Sequence, residues 1–329
     1  MKETFFFELS GEHPTMPSAE VRKCAESEAG ESIPLISGPG YCILPFGREH
    51  FDDVAERVAL THHTGRHLGS FDPSDIDVSG ISIPGGTFAI RAKRFQGMMK
   101  NIDSQDLTRK LGAHLSRNND VDLKDPDVVV RILLSDKVHI FISEKDVERD
   151  LLERRKVGER PFFSPISLHP KYARAAVNLT GVKRSGTVLD PFCGTGGILI
   201  EAAYMGMKVI ASDFDEEMIA GCIENMDHYG LKLHDHAATD IGDIREHFSD
   251  IDAVVTDPPY GRSTRTGGED INSIYKRAGT SIPKVLKPAG TACIVLPDTF
   301  EHPSLALQEM YIQKVHGSLS RHYHIFKRA

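Results

Sequence analysis

No stretch of the 329 residues approaches the ~20 consecutive apolar residues that a membrane-spanning helix requires. The start, MKETFFFELSGEHP, lacks the length and the small-residue cleavage site of a secretory leader, so the chain is expected in the cytoplasm, away from any membrane. Cysteine is sparse. Cys24, Cys42, Cys193, Cys222 and Cys293 lie far apart with no CxxC pair, which argues against a zinc ribbon and a secreted disulfide framework. They read as reduced packing thiols, Cys193 included, because nothing near it in sequence supplies a base. Positive charge is in deficit too, with 39 Lys and Arg against 47 Asp and Glu and a net charge of -8. Indiscriminate nucleic-acid binding needs clustered cations and does not fit that balance.

What is present is an ordinary globular composition, 40% apolar and 26% charged, on a chain long enough for two or three domains of about 100 to 200 residues. Charge is unevenly spread. Residues 81–117 carry seven cations (Arg91, Lys93, Arg94, Lys100, Arg109, Lys110, Arg117) against Asp103 and Asp106, a local surplus of +5 in an acidic protein. The first 50 residues read as strand (4–9), helix (18–29) and strand (41–45), separated by Pro and Gly. A helix over 51–60, a strand over 87–91, a helix over 104–115 capped by Ser104, and strands near 128–134 and 138–143 follow. This is α+β alternation, with 144–160 expected as a linker or bridging helix.

After Gly186 the rhythm changes to strand and helix units, TVLDP, GILIEAAYMG, KVIASD, EEMIAGCIENMDHYG, DAVVTD and TACIVLP. Their β-branched runs suit a parallel sheet buried on both faces, hence a doubly wound α/β domain whose ligands sit outside the carboxyl ends of the strands. Two motifs stand at such ends. The first is Asp190-Pro191-Phe192-Cys193-Gly194-Thr195-Gly196-Gly197, whose glycines admit close backbone approach to a ligand. A GxGxxG dinucleotide loop would need glycine where Leu199 stands, so NAD and FAD fit poorly. An acidic residue opening the loop instead suits a ligand with a cationic centre and an ammonium group, both present in S-adenosylmethionine. Asp213, 23 residues after Asp190, can accept from both ribose hydroxyls; Asp240 ends the next candidate strand and can accept from the adenine amine. Asp215 is the expected cap of the following helix.

The second motif is Asp257-Pro258-Pro259-Tyr260-Gly261, directly after DAVVT. Consecutive prolines stiffen the turn, so one carboxylate and one backbone carbonyl can be aimed at the same exocyclic amine. Directed hydrogen bonds favour a tetrahedral nitrogen aligned with an electrophilic methyl, and Asp257 can receive the released proton. Tyr260 offers a flat face for an extruded base. The stretch from Arg262 to Asp270 reads as a substrate-responsive lid. The HxH pairs His234/His236 and His322/His324 lack a carboxylate or cysteine at ligand spacing, so no metal is expected.

VLDPFCGTGGILIEAA followed by VVTDPPYG resembles the amino-methyltransferases of the class I S-adenosylmethionine-dependent fold. With RPFFSPISLHPKYARAAVNLTG and VHGSLSRHYHIF, the resemblance narrows to the archaeal THUMP-domain tRNA (guanine-10-N2) methyltransferases. It covers 160–326 strongly, and FAIRAKRF and VVRILLSDKVHIFIS before that. The resemblance implies a class I Rossmann-like α/β domain with a seven-stranded sheet over 166–329. Before it would come a small ferredoxin-like α+β domain over 1–50, a THUMP RNA-binding domain over 51–145 and a linker over 146–165. It further implies that Asp190, Gly194 and Gly196 line the methionine end of the cofactor, that Asp213 holds the ribose and Asp240 the adenine, and that Phe192, Thr195, Phe214 and Ile241 also belong to the cofactor site. His169 would close over the cofactor. Asp257, Pro258, Pro259 and Tyr260 would present the guanine N2, and Arg91, Lys93, Arg94, Arg109 and Lys110 would grip tRNA. The expected activity is methylation of guanosine 10, with room for a second methyl and for a small accessory protein subunit. Methylation of adenine N6 or cytosine N4 in DNA, guanine N2 elsewhere in tRNA or rRNA, and a non-catalytic RNA-binding module remain the alternatives.

Overall fold

The computed structural model describes residues 2–164, 167–260, 268–316 and 319–329. They divide into two compact units, Met1–Val147 and Glu148–Ala329. No described helix is long and apolar enough to cross a membrane.

In the first unit, β1 (Lys2–Leu9), α1 (Met16–Ala29), β2 (Ile36–Gly38), β3 (Tyr41–Gly47) and α2 (Phe51–Arg57) lead into β4 (Thr61–Phe71). Then come β5 (Thr87–Arg94), α3 (Ser104–Leu115), β6 (Asp120–Val121), β7 (Val128–Leu134) and β8 (Val138–Asp146). The described strands make one eight-stranded sheet in the order β2-β3-β1-β4-β8-β7-β5-β6. It therefore runs straight across residue 50. Strand side chains alternate between faces, and the triple Phe5, Phe6, Phe7 uses both. Phe5 and Phe7 join α1 and α2 through Val21, Cys24 and Val54, whereas Phe6 packs with Tyr41 and Phe141. Leu107, Leu111 and Leu115 recur every four residues on α3, so one stripe of that helix faces Phe88 and Val130.

Two details differ from the sequence expectation. Helix α3 is capped by Asp103, not Ser104: the Asp103 carboxylate accepts from the backbone N–H groups of Gln105 and Asp106. The helix beginning at Phe51 ends at Arg57, and the polar run THHTGRHLGSF is a long interior strand between β1 and β8. Polar residues hide its strand character, and its two register shifts against β8 break the alternation.

The second unit contains α4 (Arg149–Glu153), α5 (Pro170–Leu179), β9 (Thr187–Asp190), α6 (Gly197–Tyr204), β10 (Lys208–Asp213) and α7 (Glu216–His228). It continues with β11 (Asp235–Ala238), β12 (Ile251–Thr256), α8 (Ile271–Val285), β13 (Leu286–Leu296), β14 (Ala306–His316) and β15 (Leu319–Lys327). Its described strands form a seven-stranded sheet, β11-β10-β9-β12-β13-β15-β14. The first five run parallel and β15 is antiparallel to both neighbours, a class I Rossmann-like arrangement. Strand order reverses between β9 and β12, and the crevice of such a sheet opens there. Leu189, Val254, Ile282 and Phe326 belong to the core cluster beneath it, each fully buried apolar side chain contributing about 1.5–3 kcal/mol. The segment expected to be a linker is built into this unit, since Arg155 and Arg160 are only 7% and 4% exposed.

Candidate active site

Both motifs emerge at the reversal point because β9 and β12 are parallel neighbours, with Val254 beside Leu189. Asp190 ends β9 and is buried. Its Oδ1 accepts from the Phe192 N–H at 3.1 Å and from the Thr256 hydroxyl, the last residue of β12, at 2.7 Å. One carboxylate thus ties the glycine loop to the strand that carries the prolyl turn. Burial pushes the Asp190 carboxyl up to about 7 against these two donors.

The loop needs glycine at two places for backbone reasons. Gly194 and Gly196 have φ of 49° and 78°, and a Cβ on Gly196 would come within 2.6 Å of Cys222 Sγ. Asp213 ends β10 and braces the same loop: its Oδ2 accepts from Gly194 N–H at 3.0 Å and its Oδ1 from Asp215 N–H at 3.1 Å. Burial raises this carboxyl too, so the glycine loop is flanked by two buried carboxyls. Asp215 caps α7 as expected. Phe214 is 48% exposed at the strand end, an apolar face open to a ligand.

Asp257 follows β12. Its Oδ1 is buried without a hydrogen-bond partner among the described residues, and burial pushes the carboxyl up to about 7, against the pull of Arg321. Two contacts stiffen the turn beyond its prolines. Arg321 Nε on β15 donates to the Tyr260 hydroxyl at 3.1 Å, and Tyr275 on α8 donates to the Pro259 carbonyl at 3.0 Å. Pro258 is buried and lines a small cavity of about 20 Å³ with Phe192 and Tyr275. Thr256, Tyr275 and Arg321 had no local signal as site residues; Arg321 lies inside the SRHYHIF string. Gly261 and most of the expected lid, residues 261–267, lie outside the described residues.

Other expected residues are already engaged within the chain. Asp240 Oδ1 accepts from Gly242 N–H at 2.7 Å, and its Oδ2 from Arg277 at 2.9 Å. Ile241 is 3% exposed within the core cluster, and the Thr195 carbonyl accepts from Asn225 at 2.9 Å. His169 caps α5 through Nδ1, while its Nε2 lies 3.0 Å from Glu153. In the first unit, Lys93 pairs with Glu8 at 2.6 Å, Arg91 donates to the Leu123 carbonyl at 2.8 Å, and Arg94 donates to the Met99 and Ile102 carbonyls. Those three side chains tie down β5 and its exit loop. Arg109 and Lys110 extend from α3 with side chains 74% and 70% exposed, both beside Asp106.

These side chains suit a cationic adenosine cofactor. Buried Asp190 and Asp213, the positive-φ glycines and the exposed Phe214 ring are what S-adenosylmethionine would meet, and the orphaned Asp257 oxygen is an acceptor awaiting a donor.

Residues 157–322 match the family model described as RMKL-like, methyltransferase domain, and residues 75–143 match the THUMP domain. The chain is 34% identical over 333 residues to the tRNA (guanine(10)-N2)-dimethyltransferase of Methanothermobacter thermautotrophicus, covering 97% of this chain and 98% of that protein. To the protein of the same name from Pyrococcus abyssi it is 35% identical over 338 residues, 98% of this chain and 99% of the relative. Among solved structures, TrmN from Thermus thermophilus matches in fold with a TM-score of 0.55 at 20% identity, over 99% of this chain and 100% of that one.

Proposed function

The chain belongs to the THUMP-domain tRNA (guanine-10-N2) methyltransferase family, and on that footing we propose that it methylates the exocyclic N2 of guanosine 10 in tRNA, to the dimethyl product. The observation that carries this reading is the 2.7 Å bond from Thr256 to Asp190, which joins the cofactor loop to the acceptor turn. When bound, S-adenosylmethionine supplies an electrophilic methyl on a sulfonium that departs as a neutral thioether. Asp190, Asp213 and Phe214 hold and orient it. Asp257 and a carbonyl of the prolyl turn accept the two N–H bonds of the guanine amine, drawing its lone pair out of conjugation. Asp257 then takes the proton that the alkylated nitrogen releases. A second cycle needs only one N–H, so the same turn supports dimethylation.

Guanosine 10 is base-paired in folded tRNA and has to be extruded at a cost of a few kcal/mol, offset by stacking on Tyr260. The THUMP-containing unit, with Arg109 and Lys110 exposed, supplies the remaining tRNA contacts. Nucleoside mass spectrometry of an unmodified tRNA transcript incubated with cofactor and this chain alone tests the activity, the position and the need for a second subunit together. Asp257→Ala should bind cofactor within about twofold of wild type and lose methylation by about a hundredfold or more. Normal turnover in that variant contradicts the mechanism.

A further inference from the structure

Arg160 stands at the end of a single 3₁₀ turn, Val157–Glu159, and is 4% exposed. Its Nε donates to the Arg155 carbonyl at 3.0 Å and its Nη1 to the Ser167 hydroxyl at 3.4 Å. Its Nη2 is buried with no hydrogen-bond partner among the described residues. The guanidinium and the Ser167 hydroxyl that it holds occupy the space that a side chain at Gly197 would need: a Cβ there would come 2.9 Å from Nη1, 2.9 Å from Ser167 Oγ and 3.3 Å from Nη2. Gly197 is the first residue of α6 and the last of the glycine loop. That gives the last glycine of GTGG a use unrelated to backbone angles.

The surroundings hold more positive charge than negative. Glu201, one turn along α6 and fully buried, is gripped by Arg155 at 2.6 and 2.9 Å and by Arg174 at 2.9 Å. Arg160 is therefore a third guanidinium around a carboxylate already held by two, beside a helix N-terminus whose dipole is also positive. Tyr229, whose hydroxyl burial holds in its neutral form, and the Cys222 thiol also lie beside it among the described residues. A buried charged donor left unpaired is costly, and where one persists a ligand is the usual reason.

We propose that Arg160, seated in the gap left by Gly197, receives the α-carboxylate of the cofactor's methionine tail. The inference rests on the S-adenosylmethionine reading above. An amino-acid tail carries ammonium and carboxylate on one carbon, so a loop that begins at an acidic residue for the former needs a cation at its other end for the latter. Asp190 and Arg160 flank the loop in that sense. A tRNA phosphate is the poorer occupant, because a guanidinium this buried is closed to a polymer.

The test compares calorimetric affinities for S-adenosylmethionine and decarboxylated S-adenosylmethionine, which keeps the sulfonium and the amine and lacks the carboxylate. Wild type should prefer the former by about tenfold or more, the worth of one charge-assisted hydrogen bond. Arg160→Met should erase that preference while binding the decarboxylated ligand as wild type does. Gly197→Ala, which pushes the guanidinium aside without removing it, should reduce the preference, and Arg160→Lys should restore part of it. Equal weakening of both ligands in Arg160→Met, or an undiminished preference, overturns the proposal and leaves the cofactor reading intact. Failure of wild type to bind either ligand overturns the cofactor reading itself.

Discussion

Asp257 is held between two opposed influences. Burial favours its neutral form and Arg321 its ionised one, with the result near 7. The acceptor must be ionised to polarise the amine, so methylation at saturating cofactor should fall as pH drops through the Asp257 titration and level off above it. Arg321→Gln removes the cation that favours the carboxylate and should move that acid limb upward by about one unit. Initial rates of tRNA methylation across pH 5.5–8.5 report this; an unmoved limb would separate Arg321 from Asp257. The aspartates at strand ends were readable in the sequence because each sits where a β-branched run stops. Their partners were not. Thr256, Tyr275 and Arg321 reach the site from three different elements, and only the three-dimensional fold brings them to one turn. The clustering of Arg91, Lys93 and Arg94 was legible in the sequence, but their engagement by Glu8 and by the backbone carbonyls of Met99, Ile102 and Leu123 was not.

Elements with one clear pattern were legible: α3 has its leucines every four residues, and β7 is Val, Ile and Leu apart from Arg131. Strand β4 was not, being polar, glycine-containing and twice shifted in register against β8. Its Gly65 permits a close approach of two backbones, since a Cβ there would fall 1.9 Å from the Ile142 carbonyl oxygen. No rotamer change relieves a clash with backbone. Gly65→Ala should therefore destabilise the first unit by about 2 to 4 kcal/mol, seen as a lower urea midpoint at unchanged slope. A midpoint within error of wild type would mean that the two strands are not paired in this register.

At the scale of the whole molecule, the two units are legible as a change of rhythm along the chain, and the place of the change is not. Arg155 and Arg160 sit in a charged, breaker-poor stretch that reads as a spacer, yet Glu201 and the loop glycines draw both into the second unit. A fragment of residues 148–329 should fold cooperatively and bind S-adenosylmethionine within a few fold of the full chain, while a fragment starting at 161 should lose both properties. Equal binding by the two fragments would show that the arginine cluster is dispensable. Neither fragment should methylate tRNA, because the exposed cations of α3 lie in the unit removed.

The central claim is that the glycine loop and the prolyl turn form one site acting on a guanine N2. The most direct measurement is transfer of labelled methyl groups to paired tRNA transcripts that carry guanosine or inosine at position 10, because inosine differs only in lacking that amine. Two methyl groups should enter the guanosine transcript and none the inosine transcript, whereas equal labelling of the two would contradict the assignment.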